Sequence, residues 1–277
     1  MHSIVRIAKN AEQIYFLSRF FSLRSATIVA MGLADTMRRE WDARAKQNAY
    51  HWVVSEREVW DKDAYYEEGR KDIRRLVLPF FAENGFSAEN IRQLSVLDIG
   101  CGTGRLCRAL KEQCGEVTGV DIAPEMVERA RQENADVQGV RFLLVSGEDI
   151  SPVQSNSVDF CFSYLVFQHI PHKRVIRRYF EEIRRILRAG GIAKIQVRGT
   201  PGNPPGRVLW FHGFTSFYIA LTLWRGWIPL PWIKLYNSVY GACYTKSELL
   251  SLLQKLGFHS VWCYHETSRY LWAEMKK

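Results

Sequence analysis

Among the 277 residues there are six cysteines, Cys101, Cys107, Cys114, Cys161, Cys243 and Cys263, and no two of them form a C-x-x-C pair or sit at zinc-ligand spacing from a histidine. That argues against a zinc module, so no metal is expected, and the thiols read as reduced, mostly buried side chains of a cytosolic protein. No repeat or low-complexity tract interrupts the sequence. The longest aromatic-apolar stretch without Lys, Arg, Asp or Glu runs from Val208 to Trp224. Its seventeen residues fall short of the roughly twenty that a membrane span needs. The short apolar run from Ala26 to Ala34 follows Arg6, Lys9, Arg19 and Arg24 and has no cleavage region, so no export signal is expected.

The residues that are present describe an ordinary globular chain, 47% hydrophobic and 24% charged. Thirty-eight Lys and Arg against 29 Asp and Glu leave a formal charge of +9, which suits an anionic partner or simply a solvated basic face. Near the start, Ile4, Ile7, Ile14, Leu17, Phe20 and Phe21 recur at helical spacing among basic residues. That pattern fits a helix packed on the core or an amphipathic helix touching a membrane. Residues 35–70, rich in Trp and Tyr, read as helices laid over the mouth of the core, followed by a regular helical run from Gly69 to Phe81.

From Ser95 the pattern becomes short β-rich runs alternating with helices. Strands are expected at Ser95–Ile99, Val117–Val120, Val140–Val145, Val158–Phe162 and Ile192–Val197. Helices are expected at Arg105–Gln113, Pro124–Glu133 and His172–Leu187, the last stopping at Gly190 and Gly191. Such alternation implies βαβ units and a mainly parallel sheet. Thr245 and Glu248 form a T-x-x-E capping box before the apolar run Leu249 to Leu256, and two final strands should cover His259–Tyr264 and Arg269–Met275. The organisation expected is an N-terminal helical cap over 1–69, a core over 70–199 and 242–277, and an inserted segment over 200–241. An insertion of that length in a compact domain is usually functional, and its aromatic content fits a helical lid.

The strongest motif is Val96-Leu97-Asp98-Ile99-Gly100-Cys101-Gly102-Thr103-Gly104-Arg105, a buried strand running straight into three alternate glycines and then a helix. Glycines there let the backbone turn tightly and approach a ligand closely. The third glycine arrives at Gly104, one residue too early for the G-x-G-x-x-G dinucleotide fingerprint, which turns the reading away from NAD. A second acid, Asp121, ends the next strand in Gly119-Val120-Asp121-Ile122, where a carboxylate can accept both hydroxyls of a ribose. Asp98 can hold an ammonium group. The plainer alternative, that both acids are turn and capping residues, accounts poorly for their placement at two strand ends.

With Arg184-Arg185-Ile186-Leu187-Arg188-Ala189-Gly190-Gly191, these motifs resemble the class I S-adenosylmethionine-dependent methyltransferases of the small-molecule type, from about Leu94 to the end apart from the insertion. The resemblance implies an α/β Rossmann-like fold, doubly wound, with a mainly parallel seven-stranded sheet, N-terminal helices and a lid inserted after strand five. It implies S-adenosylmethionine as cofactor, held by Asp98, Gly100, Cys101, Gly102 and Gly104 of the first loop and by Asp121, Ile122 and Met126 around the second strand end. Adenine contacts are implied at Ser146, Gly147 and Glu148, although many members carry Asp-Ala in place of Ser146-Gly147. The segment after strand four brings Ser163 and Tyr164 to the cofactor, and Tyr66 joins the same set.

Methyl transfer is an in-line displacement, so the enzyme must align its acceptor and, for hydroxyl or ammonium acceptors, take a proton. His169 is the candidate base, and capping the next helix or contacting the cofactor is its alternative role. With Trp210, Phe211 and Phe214 of the insertion it would line a pocket for a small apolar or aromatic acceptor, with O- or N-methylation favoured. Asn203-Pro204-Pro205-Gly206 lacks the aromatic and the position of an N-P-P-aromatic motif and reads as a loop. The competing readings are methylation of RNA or protein through the basic helix from Lys173 to Arg188, a lipid acceptor met by peripheral contact with a membrane, and an inactive methyltransferase-fold binding subunit. A degenerate subunit would normally have lost the glycine loop or the acid after strand two.

Overall fold

A computed structural model describes residues 34–54, 57–200, 241–266 and 269–277. The N-terminal apolar pattern and almost all of the 200–241 insertion, with Trp210, Phe211 and Phe214, lie outside the described residues.

The described chain opens with helix α1 (34–53), followed by α2 (Lys62–Leu76), α3 (Leu78–Glu83) and α4 (Ala88–Ile91). The βα alternation then runs β1 (Ser95–Ile99), α5 (Arg105–Lys111), β2 (Glu116–Asp121), α6 (Pro124–Glu133), β3 (Val140–Leu144), β4 (Val158–Ser163), a 3₁₀ turn at Phe167–His169, α7 (Lys173–Ile186) and β5 (Leu187–Gly199). The chain closes with β6 (Cys243–Tyr244), α8 (Lys246–Lys255), β7 (His259–His265) and β8 (Tyr270–Lys276). The principal strands lie in the order β3-β2-β1-β4-β5-β8-β7. β3 through β5 pair in parallel, β8 runs antiparallel to β5, and β7 antiparallel to β8. This is the open, mainly parallel Rossmann-like sheet expected, with the two-residue β6 added in parallel beside β5.

Strand periodicity divides the core into two faces. Val96, Phe160, Phe162 and Ile192 join one cluster with Ile73, Phe80 and Phe81 from α2 and α3 and with Leu106 and Leu110 from α5. Their neighbours Leu97, Cys161, Ala193 and Ile195 point the other way, into a cluster with α7 and α8. Helix α7 presents Ile176, Tyr179, Phe180, Ile183 and Ile186 on one stripe. Burial of a side chain such as Phe180 contributes roughly 1.5–3 kcal/mol. The Thr245/Glu248 capping box forms as its sequence requires: Thr245 Oγ1 accepts the Glu248 N–H at 3.2 Å and Glu248 Oε2 accepts the Thr245 N–H at 3.0 Å.

Three boundaries differ from the sequence reading. Strand β5 begins at Leu187, five residues before Ile192, because Gly190 and Gly191 form a bulge in the strand and do not cap α7. Val158 pairs with Leu187 but Phe160 pairs with Ile192, and Gly190 (φ +79) takes up the excess. The boundary drawn at 69/70 falls inside α2, which starts at Lys62 because the Asp61 carboxylate accepts the Ala64 N–H. The helical run to Phe81 is interrupted at Val77, just before Pro79 enters the first turn of α3.

Candidate active site

The site lies at the carboxyl ends of β1, β2 and β4, where an open α/β sheet leaves a crevice. After Ile99 the chain turns over the end of β2, with Gly100 N–H and Cys101 N–H both donating to the Val120 carbonyl (2.7 and 3.0 Å). Asp121 fixes the same loop from below. Its Oδ2 accepts the Gly102 N–H at 2.9 Å and its Oδ1 the Ala123 N–H at 2.9 Å. Burial pushes the Asp121 carboxyl up, and the backbone donors Ala123, Gly102 and Ile122 oppose that shift. Gly100 (φ +75) and Gly102 (φ +55) are required twice over, by conformation and by space. A Cβ on Gly100 would stand 2.4 Å from Val166 Cγ2, and one on Gly102 would stand 2.7 Å from Val53 Cγ2.

These elements line a cavity of about 870 Å³, a volume that includes open space at its mouth. One end is polar, formed by Gly100, Gly102 and Asp121. The adjoining wall is an apolar slot of Ile122, Met126, Val145 and Gly147. Tyr164, Leu165, Val166, His169, Trp41 and Trp52 complete the lining, with Val166 packed on Gly100 and Val53, next to Trp52, packed on Gly102.

The residues present fit S-adenosylmethionine. Each Asp121 oxygen already accepts one amide and retains acceptor capacity for a ribose hydroxyl. The two glycines let Val166 and Val53 pack onto the loop backbone, and the apolar slot beside the loop suits an adenine ring. Among the described residues no group of His, Cys, Asp or Glu could hold a metal ion.

Of the residues expected at the cofactor, Gly100, Gly102, Asp121, Ile122, Met126, Gly147 and Tyr164 line this cavity, and the candidate base His169 lines it too. The others do not line it, each for a local reason. Period-two alternation turns Asp98 onto the α5 side of the sheet, where it is 1% exposed and accepts the Cys107 thiol at 3.4 Å. Burial pushes its carboxyl up to about 7, against the pull of that hydrogen bond and of Arg105. Cys101 is buried, with its thiol directed to the Gly102 carbonyl. Gly104 caps α5 and faces Asn134 and Phe142.

Ser163 Oγ donates to the Ile99 carbonyl at 2.8 Å and so joins the ends of β4 and β1. Ser146 Oγ accepts the N–H groups of Glu148 and Asp149, closing a turn. The Tyr66 hydroxyl donates to Glu133 Oε2 at 3.1 Å, away from the cavity.

The sequence lays aromatic helices over the core and, of their residues, assigns Tyr66 alone to the site. Ala34, Met37, Trp41, Trp52 and Val53 of α1 in fact line the cavity. The Trp41 ring meets His169 edge-on with centroids 5.2 Å apart, and the Arg44 guanidinium lies 4.7 Å from the Trp41 ring centroid and 5.0 Å from that of Trp52. The recurrence of Trp41, Ala45, Ala49, Trp52 and Val53 on one helical stripe was the available signal.

Residues 97–195 match the family described as "Methyltransferase domain". A ubiquinone biosynthesis O-methyltransferase of Xanthomonas oryzae pv. oryzae is 35% identical over 133 residues, 47% of this chain and 52% of the relative. A malonyl-[acyl-carrier protein] O-methyltransferase of Pectobacterium atrosepticum is 35% identical over 130 residues, 47% of this chain and 46% of the relative. Among solved structures, phosphoethanolamine N-methyltransferase 2 of Haemonchus contortus, in complex with S-adenosyl-L-methionine, superposes with a TM-score of 0.55 at 16% identity, covering 83% of this chain and 56% of that one. At that identity the likeness is one of fold. The YcgJ protein of Bacillus subtilis superposes with a TM-score of 0.50 at 17% identity, covering 72% of this chain and 97% of that one. The chain carries a class I S-adenosylmethionine-dependent methyltransferase domain, an enzyme fold whose cofactor is S-adenosylmethionine. It spans between 20% and 52% of the length of the curated relatives it matches.

Proposed function

We propose that this protein transfers a methyl group from S-adenosylmethionine to a small apolar or aromatic acceptor, at oxygen or nitrogen. The observation that carries the reading is a single cavity whose lining joins Asp121 and the glycine loop to Trp41, Trp52, Leu165, Val166 and His169. A greasy chamber ending beside one imidazole suits an acceptor that is mostly hydrocarbon or aromatic ring with one nucleophilic atom. The O-methyltransferase names of the matched relatives support oxygen as that atom.

When bound, the cofactor supplies a sulfonium-activated methyl group. Asp121 holds the ribose hydroxyls, the slot of Ile122, Met126, Val145 and Gly147 takes the adenine, and the aromatic wall excludes water and orients the acceptor. His169 Nε2 accepts the Gln168 Nε2–H at 3.2 Å, and to take the acceptor proton it exchanges that hydrogen bond for one from the acceptor, with its ring set by Trp41.

The basic helix gives less support to an RNA acceptor. Lys173 pairs with Glu248, Arg177 with Glu181 and Arg188 with Asp159. Arg184 donates to the Gly257 carbonyl, and Arg185 to Glu182 and to the carbonyls of Ile150 and Val153. Most of that charge is therefore spent on the fold. No described helix is long and apolar enough to cross a membrane. All six cysteines are free and five are buried, which agrees with a reducing, cytoplasmic setting.

The test is calorimetric titration with S-adenosylmethionine, S-adenosylhomocysteine and NADH, followed by a methyl-transfer screen over apolar phenols, amines and lipids. Binding of the first two without NADH, and turnover of an apolar phenol or amine, is the expected result. Binding without any turnover across the screen would favour a non-catalytic binding subunit.

A further inference from the structure

We infer that Gln196 and Glu266 are positioning residues that hold the loop after β4 in the shape that lines the cavity. The inference rests on the site reading proposed above. The loop needs holding: Leu165 adopts φ +61, a conformation that residues with side chains rarely take. Its neighbours set the wall, since Tyr164, Leu165 and Val166 all line the cavity and the Val166 methyls fill the space above Gly100.

The hold comes from across the sheet. Gln196, on β5 and 1% exposed, accepts the Leu165 N–H on its Oε1 at 3.3 Å and donates from Nε2 to Glu266 Oε2 at 2.8 Å. The same Glu266 oxygen accepts Trp272 Nε1 at 2.8 Å, while Glu266 Oε1 accepts Arg75 Nη1 at 2.9 Å. Arg75 Nη2 then donates to the Tyr164 hydroxyl at 3.1 Å and to Asp72 at 3.1 Å. One network thus grips the loop twice, at the Leu165 backbone and at the Tyr164 hydroxyl. Tyr164 also stacks on Trp272, with centroids 5.7 Å apart and planes 10° apart.

The chemistry requires an amide at 196. It must accept from a backbone N–H with one end and donate to a carboxylate with the other, which neither a carboxylate nor an ammonium can do. Neither Gln196 nor Glu266 lines the cavity, so both act through Tyr164 and Leu165. The charged and titratable groups around the pair are Arg75 and Asp72 from α2, Tyr164 after β4, and the Lys194–Glu274 ion pair on β5 and β8.

The test uses the full chain with two variants and two readouts. Gln196→Met keeps length and burial and removes both hydrogen bonds. Amide exchange across residues 164–169 should quicken at least tenfold, and S-adenosylhomocysteine affinity, measured by calorimetry, should fall several-fold. Gln196→Glu places a carboxyl against Glu266. Its affinity relative to wild type should stay near one at pH 5.5, where the introduced buried acid can keep its proton and donate to Glu266, and fall at least tenfold at pH 8.5, where the introduced acid is charged. Unchanged exchange in a folded Gln196→Met, or a pH-independent affinity ratio in Gln196→Glu, overturns the positioning role. Loss of fold in Gln196→Met leaves the pH ratio to decide. Failure of wild type to bind S-adenosylhomocysteine would instead sink the site reading, and the exchange measurement would still judge the network.

Discussion

The carboxylate of Asp121 accepts the Gly102 N–H at 2.9 Å, so the acid at the end of β2 and the glycine loop after β1 are one piece of structure. Replacing Asp121 therefore removes the ribose acceptor and also leaves the Gly102 and Ala123 amides without their partner. Hydrogen bonds to charged groups contribute about 1.5–3 kcal/mol, so Asp121→Ala should weaken S-adenosylmethionine binding roughly 10- to 100-fold. Calorimetry on the folded variant measures this, and unchanged affinity would remove Asp121 from the site.

Gly100 exposes the same site to a second test. A Cβ there would lie 2.4 and 2.5 Å from the two Val166 methyls, so Gly100→Ala should displace Val166 and abolish measurable cofactor binding. Removing the obstacle with Val166→Ala should restore part of the affinity. A residual penalty of about 1 kcal/mol should remain for the positive φ, which only glycine adopts freely. Additive losses in the double variant would mean the two residues do not share a wall.

Much of this was legible in the residues themselves. The bounds of β1 and α6 and the Thr245/Glu248 box follow from local signals, alternation, a proline at N1 and a reciprocal cap, and these need no tertiary context. The glycine loop and Asp121 were legible because their chemistry sits in a contiguous motif. Gly190 misled because a glycine with positive φ serves equally at a helix end or in a strand bulge, and the β4 pairing decided between them. Trp41 and Trp52 were not assigned to the site because their role depends on where α1 docks, a long-range contact that periodicity alone does not reveal. Asp98 shows the converse: its motif is plain, yet strand alternation turns the side chain under the loop toward Cys107.

That burial makes Asp98 a source of pH dependence. Its folded carboxyl, pushed up to about 7 against an ordinary value of 3.8, binds a proton more tightly than in the unfolded chain. Its contribution to stability is complete below about pH 4 and is lost as pH rises through about 7. The cofactor-free protein should melt at progressively lower temperature across that window. Asp98→Asn should flatten this part of the profile, and an unchanged slope in that variant would assign the titration elsewhere. If Asp98 also serves the cofactor ammonium, binding near pH 6 should release a proton, seen as a dependence of the calorimetric heat on buffer ionisation enthalpy.

His169 lies on the 3₁₀ turn after β4 and Asp121 at the end of β2, so loss of His169 should separate chemistry from cofactor binding. His169→Gln should leave S-adenosylhomocysteine affinity within about threefold and reduce kcat on a phenol or amine acceptor roughly 10²- to 10⁴-fold, the usual contribution of a general base. Retained turnover would assign His169 to packing against Trp41.

Helix α1 is held over the cavity by polar contacts whose strength can be tuned without touching the lining. The Tyr50 hydroxyl donates to Glu133 Oε2 at 2.8 Å while its ring stacks on Tyr65 at 4.2 Å. The Asp42 carboxylate accepts the Glu125 N–H at 2.8 Å in the first turn of α6, and Arg38 Nη2 donates to the Ser146 carbonyl at 2.7 Å. Loss of the Tyr50 bond to the Glu133 carboxylate costs about 1.5–3 kcal/mol, and loss of the Asp42 contact about 1 kcal/mol, as for a helix cap. Neither is enough to unfold the sheet. The double variant Tyr50→Phe/Asp42→Ala should accordingly leave the main melting transition nearly in place, open α1 to limited proteolysis, and weaken S-adenosylhomocysteine binding by about three- to tenfold, because Trp52 and Val53 no longer close over Gly102. Rapid cleavage with undiminished affinity would show that the pocket binds its cofactor without α1, and would confine the role of Trp41 and Trp52 to the acceptor.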